Sequence, residues 1–242
     1  MTTPYLRYQY VHPAGISLGA VRVTEKTEYL QEIAKEIFDP EDWAVFNTYK
    51  FPKKQLSHIL GRLSSKIAAQ EFLKNFSLRD VKIANALQGN PILLNGNYDL
   101  TIAHAGNFGV SICHSKNFIL GIDLELVDNF LDRLLLELDF FISNGAFFED
   151  NKKGKCTLWT AMEAASKHMK IGITTDFSVF EVRSSEKISD GCLLTEFVHI
   201  PSLLVLSFDF KNIIMSICVH RNFDLGYLLA LSKDENLKEM WN

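Results

Sequence analysis

Residues 118–126 read Phe118-Ile119-Leu120-Gly121-Ile122-Asp123-Leu124-Glu125-Leu126 and decide the fold. The run is apolar apart from two acids, so it predicts a buried β-strand. Because side chains alternate along a strand, Asp123 and Glu125 should share one face. Two adjacent carboxylates need a bound cation, a shared proton or full exposure to water. The first reading implies Mg²⁺, since all the ligands are oxygens; the other is a strand that ends in a solvated acidic turn.

A second segment supplies a candidate partner for these acids. Residues 158–170, LWTAMEAASKHMK, predict a helix on which Glu163 and Lys167 stand one turn apart. Such a pair can be a surface ion pair of a few tenths of a kcal/mol. However, Trp159 and the alanines indicate a closely packed helix. We therefore interpret Glu163 as a third metal ligand and Lys167 as a phosphate contact.

The composition is that of an ordinary globular protein, with 242 residues of which 47% are hydrophobic and 22% charged. A net charge of −4 provides no strong positive field and argues against a nucleic-acid partner. The four cysteines are widely spaced and suggest neither a zinc site nor a disulfide framework. With no apolar leader and no apolar run of bilayer length, we expect a cytoplasmic protein that does not enter a membrane.

The first half of the chain predicts strands at 5–11 and 16–23, a helix at 25–38 and a long amphipathic helix at 53–74. The apolar stripe of the long helix consists of Leu56, Ile59, Leu60, Leu63, Ile67 and Phe72. Its other face should carry Lys53, Lys54, Arg62 and Lys66. Arg62 and Lys66 are four residues apart, so they suit a phosphate clamp. The alternative is a solvated basic face.

His104 follows an apolar strand predicted at 98–103 and precedes a glycine turn. A histidine in that position often faces a ligand, and it is otherwise a satisfied structural residue.

The second half predicts a helix over 131–138, an exposed basic loop at 151–155, four strands at 177–182, 197–200, 203–210 and 213–220, and a short polar surface helix after Leu231. Residues 110–113, VSIC, are echoed by residues 215–218, MSIC. The echo favours an α+β protein made of two similar halves, residues 1–117 and 118–242, with the acidic strand at their seam.

The motif Gly121-Ile122-Asp123-Leu124-Glu125, followed by Trp159-Thr160, Glu163-Ala164 and Lys167, resembles the 4′-phosphopantetheinyl transferases of the larger surfactin-synthetase-activating type. Residues 101–104, 89–91 and the segment from Gly61 to Lys66 support the resemblance, which covers roughly residues 50–172. It implies a monomer with two pseudo-twofold halves, each a mainly antiparallel sheet packed with a long helix. The active site would lie at the seam.

The resemblance also implies the activity, which is transfer of the phosphopantetheine arm of coenzyme A to a serine of an apo acyl or peptidyl carrier protein. Such carriers serve fatty acid, polyketide or nonribosomal peptide synthesis. Asp123, Glu125 and Glu163 would hold Mg²⁺, and Lys167 would contact the phosphates. His104 would contact the 3′-phosphate region. Arg62 and Lys66 would bind the nucleotide end.

Two further roles are left open by the sequence. Either Glu163 or a metal-bound water would accept the serine proton. Carriers in this family are acidic, so Lys152, Lys153 and Lys155 would be able to meet one, or would form a merely solvated loop.

Three residues depart from the family pattern. Met162 and Asn90 replace basic residues, and Ala103 replaces a serine. A lost charge-assisted phosphate contact costs about 1.5–3 kcal/mol, so coenzyme A binding should be weaker or be compensated by Lys53, Lys54 or Lys170. One alternative is a module that binds coenzyme A or a carrier without transfer. Another is an unrelated Mg²⁺ enzyme that acts on a different pyrophosphate.

Overall fold

The computed structural model describes residues 5–23, 29–74, 76–86, 89–130, 138, 148, 151–173 and 176–241. The chain divides into two compact units, Met1–Phe118 and Ile119–Asn242. Within the described residues, no helix has both the length and the apolar character that crossing a bilayer requires. All four cysteines are free and buried.

The first unit is a four-stranded antiparallel sheet, in the order β1-β2-β6-β5, packed with one long helix. A separate small sheet pairs β3 with β4. The elements are the strands β1 (Tyr5–His12), β2 (Ile16–Val23), β3 (Ile83–Asn85), β4 (Pro91–Leu93), β5 (Tyr98–Ala105) and β6 (Phe108–Ser115), the helices α1 (Leu30–Ile37), α2 (Pro40–Phe46) and α3 (Pro52–Gln70), and a 3-10 helix at Leu78–Asp80.

Helix α3 lies very close to the sheet. A Cβ on Gly19 of β2 would lie 2.4 Å from the Ser64 carbonyl oxygen, so only glycine allows this approach. The Ser111 hydroxyl of β6 is hydrogen-bonded to the hydroxyls of Ser64 and Ser65, at 2.8 and 2.9 Å. The predicted apolar stripe is confirmed at its buried centre, which consists of Ile59, Leu60, Leu63 and Ile67.

The basic face predicted for the long helix is wrong for two of its members. Arg62 is 6% exposed and Lys66 is 0% exposed. Helix α2 contributes Asp42, whose carboxylate pairs with both side chains. Helical spacing predicts that Arg62 and Lys66 point to the same side of α3, but it does not predict what lies there. In the structure, Asp42 of α2 lies on that side.

The second unit is a five-stranded antiparallel sheet, in the order β7-β11-β10-β9-β8, packed with helix α4. Its elements are β7 (Gly121–Leu126), β8 (Val182–Ser189), β9 (Cys192–Phe197), β10 (Leu203–Phe210) and β11 (Ile213–His220), the helices α4 (Lys152–Met169), α5 (Gly226–Leu229) and α6 (Glu235–Trp241), and 3-10 helices at Val127–Asn129, Phe177–Phe180 and Leu231–Lys233.

Several predicted boundaries in this unit are wrong. Residues 151–155 are not a loop, because the Asn151 side chain accepts a hydrogen bond from the Gly154 N–H and begins helix α4. Residues 177–180 form a 3-10 helix and not a strand, and the strand β8, Val182–Ser189, was not predicted. The strand predicted at 197–200 is observed earlier, as Cys192–Phe197. The C-terminal helix is packed and is not only a surface helix, since the centroids of the Trp241 and Phe210 rings lie 6.2 Å apart.

Two predicted helices fall partly outside the described residues. The one at 25–38 is observed as α1, whereas residues 24–28 lie outside. Of the one at 131–138, only Leu138 is described, and its side chain is buried.

Both units combine antiparallel strands with helices, so the predicted α+β class is confirmed. The pseudo-twofold relation stays a prediction. Within each unit the echoed serine has the same kind of partner. Ser111 bonds to hydroxyls of α3, and Ser216 donates to the Thr160 hydroxyl of α4 at 2.8 Å.

Candidate functional site

The acidic strand β7 lies at the edge of the second sheet and pairs with β11. Asp123 is opposite Ser216, and Glu125 is opposite Ile214. Directly paired residues of antiparallel strands share a face. Since Ser216 is bonded to Thr160 of α4, the face that carries Asp123 and Glu125 is the one that α4 covers. The predicted placement of both acids on one face is therefore confirmed.

Gly121 sets the distance between β7 and α4. A Cβ at this position would lie 2.0 Å from the Ala164 carbonyl oxygen and 2.5 Å from the His168 nitrogen. The strand can approach the helix this closely only because position 121 has no side chain. The contact falls on Ala164, which is flanked by Glu163 and lies one turn from Lys167. The helix therefore presents both charged residues close to the acids of β7.

Lys167 forms the central ion pair of this cluster. Its Nζ lies 2.6 Å from Asp123 Oδ1. Asp123 is only 6% exposed, and its Oδ2 is buried without a hydrogen-bond partner among the described residues. A buried carboxylate oxygen without a partner carries a desolvation cost, so it is a position where an added cation would stabilise the protein.

The three carboxylates interact with one another. Burial raises the pKa of Asp123, against the effect of the nearby Lys167 ammonium. Burial and the charge of Asp123 raise the pKa of Glu125 to about 7, with a smaller contribution from Glu163. Burial and the charge of Asp123 also raise the pKa of Glu163. Asp123 therefore lies near enough to Glu125 and to Glu163 for its charge to disfavour their ionised forms.

The cluster is not arranged as a ready metal site. In the ranges that the structure describes, no three His, Cys, Asp or Glu side chains are placed to hold a metal ion. The Lys167 ammonium is instead the cation that Asp123 binds. The donor chemistry nevertheless fits Mg²⁺, because all three groups are carboxylates and one buried oxygen is unsatisfied. Lys167 pairs with Oδ1, so Oδ2 is the Asp123 atom that remains for an added cation.

In the first unit, Lys66 is part of a buried ion cluster. Its Nζ lies 2.8 Å from Asp42 Oδ2 and donates to the Val81 carbonyl at 2.8 Å. Arg62 Nε lies 2.8 Å from Asp42 Oδ1. The assignment of Lys66 to coenzyme A stays a prediction, and this arrangement favours a structural role for it.

Arg62 and His104 line one surface pocket of about 340 Å³. Helix α3 supplies Arg62, and strand β5, which extends to Ala105, supplies His104 as an exposed residue. The pocket is also lined by Tyr49, Lys54, Ser57, His58, Gly61, Asn85 and Ile102.

Two residues of this region have no role in the sequence prediction. Burial, with the charge of Arg62, lowers the pKa of His58 to about 4, so its imidazole is neutral at pH 7. Asp42 pairs with two residues that follow it by 20 and 24 positions, and no sequence periodicity connects them. Asp42 lies in the first turn of α2, which begins at Pro40.

The three departures from the family pattern have different surroundings. Met162 is 0% exposed and belongs to the apolar core on which α4 packs. Where the family has a basic side chain, this chain therefore has a buried apolar one. Ala103 is 4% exposed. The Asn90 carbonyl accepts a hydrogen bond from the Ala86 N–H at 2.8 Å.

The lysines at the start of α4 are partly engaged within the second unit. Lys153 Nζ lies 2.5 Å from Asp209 Oδ2, and Lys152 Nζ donates to the Asp128 carbonyl at 3.0 Å. Lys153 and Asp209 also line a pocket of about 390 Å³ that contains none of the predicted site residues.

No family model and no curated protein matches the chain. Among solved structures, the chain is similar to a holo-(acyl-carrier-protein) synthase from Bacillus anthracis str. Ames, solved in complex with CoA (3′,5′-ADP). The identity is 21% and the TM-score 0.38, over 43% of this chain and 97% of that one. It is also similar to the holo-[acyl-carrier-protein] synthase of Thermotoga maritima, with 18% identity and a TM-score of 0.33, over 45% of this chain and 68% of that one. In its sequence motifs, the chain resembles the 4′-phosphopantetheinyl transferase superfamily.

Proposed function

We propose that this chain transfers the 4′-phosphopantetheine arm of coenzyme A to a serine of an apo acyl or peptidyl carrier protein, with Mg²⁺, and releases 3′,5′-ADP. The observation that carries the proposal is the acidic cluster. On helix α4, Lys167 pairs with Asp123 of β7, and the charge of Asp123, next to burial, raises the pKa of both Glu125 and Glu163.

The residues have distinct proposed roles. Asp123, Glu125 and Glu163 would hold Mg²⁺, which when bound neutralises charge on the pyrophosphate. Lys167, once it leaves Asp123, would bind the phosphates, and Arg62 and His104 would bind the nucleotide end. Lys66 is left out of the proposed site because its ammonium is fully buried.

The reaction needs a base for the serine proton. The serine oxygen forms a bond to the β-phosphorus while the bond from that phosphorus to the oxygen of 3′,5′-ADP breaks. We assign the proton to Glu163, the acid that helix α4 carries one turn from Lys167. Helix α4, held against Gly121, fixes its position.

The test is a transfer assay with coenzyme A, Mg²⁺ and a panel of apo-carriers, read by the mass of the carrier. Wild type should add the phosphopantetheine mass to at least one carrier. Glu163→Gln should lower kcat by about 10²–10⁴-fold, whereas Glu186→Gln, at an exposed position of β8, should leave it unchanged. If no carrier gains mass with wild type, the proposal is overturned.

A second candidate is a module that binds coenzyme A or a carrier without transfer. The ion pair between Lys167 and Asp123 favours it, since the pair already satisfies one proposed metal ligand. Calorimetry separates the two, because a binding module should take up coenzyme A equally well with and without Mg²⁺. A third candidate, an Mg²⁺ enzyme for another pyrophosphate, would release a product other than 3′,5′-ADP.

A further inference from the structure

A short basic and aromatic surface lies at the start of helix α3, on its first three residues and the two that precede them. We name residues 50–54, Lys-Phe-Pro-Lys-Lys, the 50–54 patch; all five are exposed. Phe51 is 70% exposed, more than any other large hydrophobic side chain of the described residues. The patch carries three positive charges and no acid, on a chain with a net charge of −4. The local charge is therefore opposite to that of the whole chain.

The backbone of the patch is fixed on both sides. The Phe51 carbonyl accepts hydrogen bonds from the N–H groups of Lys54 and Gln55, and Pro52 is the first residue of α3. The Gln55 side chain donates to the Tyr49 carbonyl at 3.0 Å. A surface that is ordered before binding loses less entropy when a partner binds.

Among the described residues, no carboxylate forms an ion pair with Lys50, Lys53 or Lys54. Lys153, by contrast, is paired with Asp209. Within the described part of the chain, no ion pair therefore neutralises the positive charges of the patch. Phe is one of the aromatic residues enriched at protein–protein interfaces, and the lysines around Phe51 add charge complementarity to an acidic partner.

We propose that the 50–54 patch docks an acidic protein partner that offers an apolar cleft for Phe51. This inference rests on the proposed function, in which the partner is the carrier protein. Three lysines are fewer than the four to eight that a polybasic membrane site uses, roughly. They are also fewer than the roughly six to ten phosphate contacts of a strongly salt-dependent nucleic-acid binder. Against this acidic chain, they suit a small acidic protein surface.

Three variants test the docking site. In Lys50→Glu/Lys53→Glu, the KM for the carrier should rise about tenfold or more at low salt, and less at 0.5 M NaCl, because screening weakens exposed charges. Neither Lys50 nor Lys53 lines the pocket that Arg62 and His104 line, so the KM for coenzyme A and kcat should not change. Lys54 is kept, since it also lines the pocket with Arg62. Lys74→Glu/Lys82→Glu makes the same charge change at exposed positions of the same unit and should leave the carrier KM within about twofold.

Phe51→Ala should raise the carrier KM by a similar factor, but without the dependence on salt, since it removes apolar contact. Equal effects of the patch and control double variants would overturn the inference. So would an unchanged carrier KM in Phe51→Ala.

Binding is measured separately from transfer. Calorimetry with an apo-carrier whose acceptor serine is replaced by alanine should show weaker binding to the patch variants than to wild type. That result supports docking even if no transfer occurs, so failure of the two proposals can be told apart. Wild type that binds no carrier overturns the docking site. Phe51-dependent sedimentation with phosphatidylserine vesicles, without carrier binding, also overturns it.

Discussion

The buried charge cluster of the first unit yields a prediction that decides what Lys66 does. Lys66→Met removes an ammonium that is 0% exposed and leaves the Asp42 carboxylate, 1% exposed, with Arg62 as its remaining ionic partner. Breaking a buried ion pair costs about 3–5 kcal/mol. The Val81 carbonyl also loses its donor, at about 1 kcal/mol. Because Arg62 still compensates Asp42, we expect a net loss of about 3 kcal/mol.

A loss of this size lowers the ratio of folded to unfolded protein by about two orders of magnitude. Urea unfolding of wild type and Lys66→Met measures it directly. Lys53→Met is the matched control, since Lys53 is exposed on the same helix, and its effect should stay within about 0.5 kcal/mol.

The same protein preparations separate structure from ligand binding. Assayed well below the melting temperature, folded Lys66→Met should bind coenzyme A within about twofold of wild type, because its ammonium does not line the pocket that Arg62 lines. Unchanged stability together with a tenfold loss of coenzyme A affinity would refute this reasoning. Lys66 would then be assigned to coenzyme A binding.

Three other substitutions test the packing and the titration of single groups. Gly121→Ala should destabilise the protein by about 1–3 kcal/mol in thermal unfolding, since the new Cβ meets the Ala164 carbonyl; Gly226→Ala, which meets only a side chain, should cost less. Ser216→Ala should cost about 1–3 kcal/mol in urea unfolding, because buried hydroxyls on α4 and β10 lose their partner. His58 has a pKa depressed to about 4, so the unfolded state binds more protons between pH 4 and 6.5. Acidification through this range should destabilise wild type by up to about 3 kcal/mol more than His58→Gln, and parallel stability curves would contradict this.

Local pattern predicted strand β7 and the packed helix α4 because both signals are carried by consecutive residues. The alternation of Asp123 and Glu125 with apolar residues is observed in β7. The alanines of α4 that surround Glu163 are buried in the hydrophobic core. The position of the Glu163–Lys167 pair relative to Asp123 required one further fact, the contact at Gly121, which spacing alone does not contain.

What sequence could not provide was the identity of the partners. Arg62 and Lys66 were expected to face solvent or phosphate, yet the orientation of α2 places Asp42 against them. Likewise, Lys167 was assigned to phosphate, and its closest anion in this structure is Asp123. Ion pairing depends on how elements pack in three dimensions, and periodicity within one element reports nothing about it.

The contact at Gly121 also bears on ion selectivity. Backbone atoms of Gly121, Ala164 and His168 set the distance between β7 and α4. Side-chain rotamer changes at this contact therefore cannot alter the distance between the backbones that carry Asp123 and Glu163. Calcium–oxygen distances are longer than magnesium–oxygen distances, at about 2.3–2.6 Å against about 2.0–2.1 Å. Since the α4 backbone is held against β7, a larger ion would have to be accommodated by movement of the carboxylate side chains alone. For the proposed Mg²⁺ site, we therefore expect the smaller cation to be favoured.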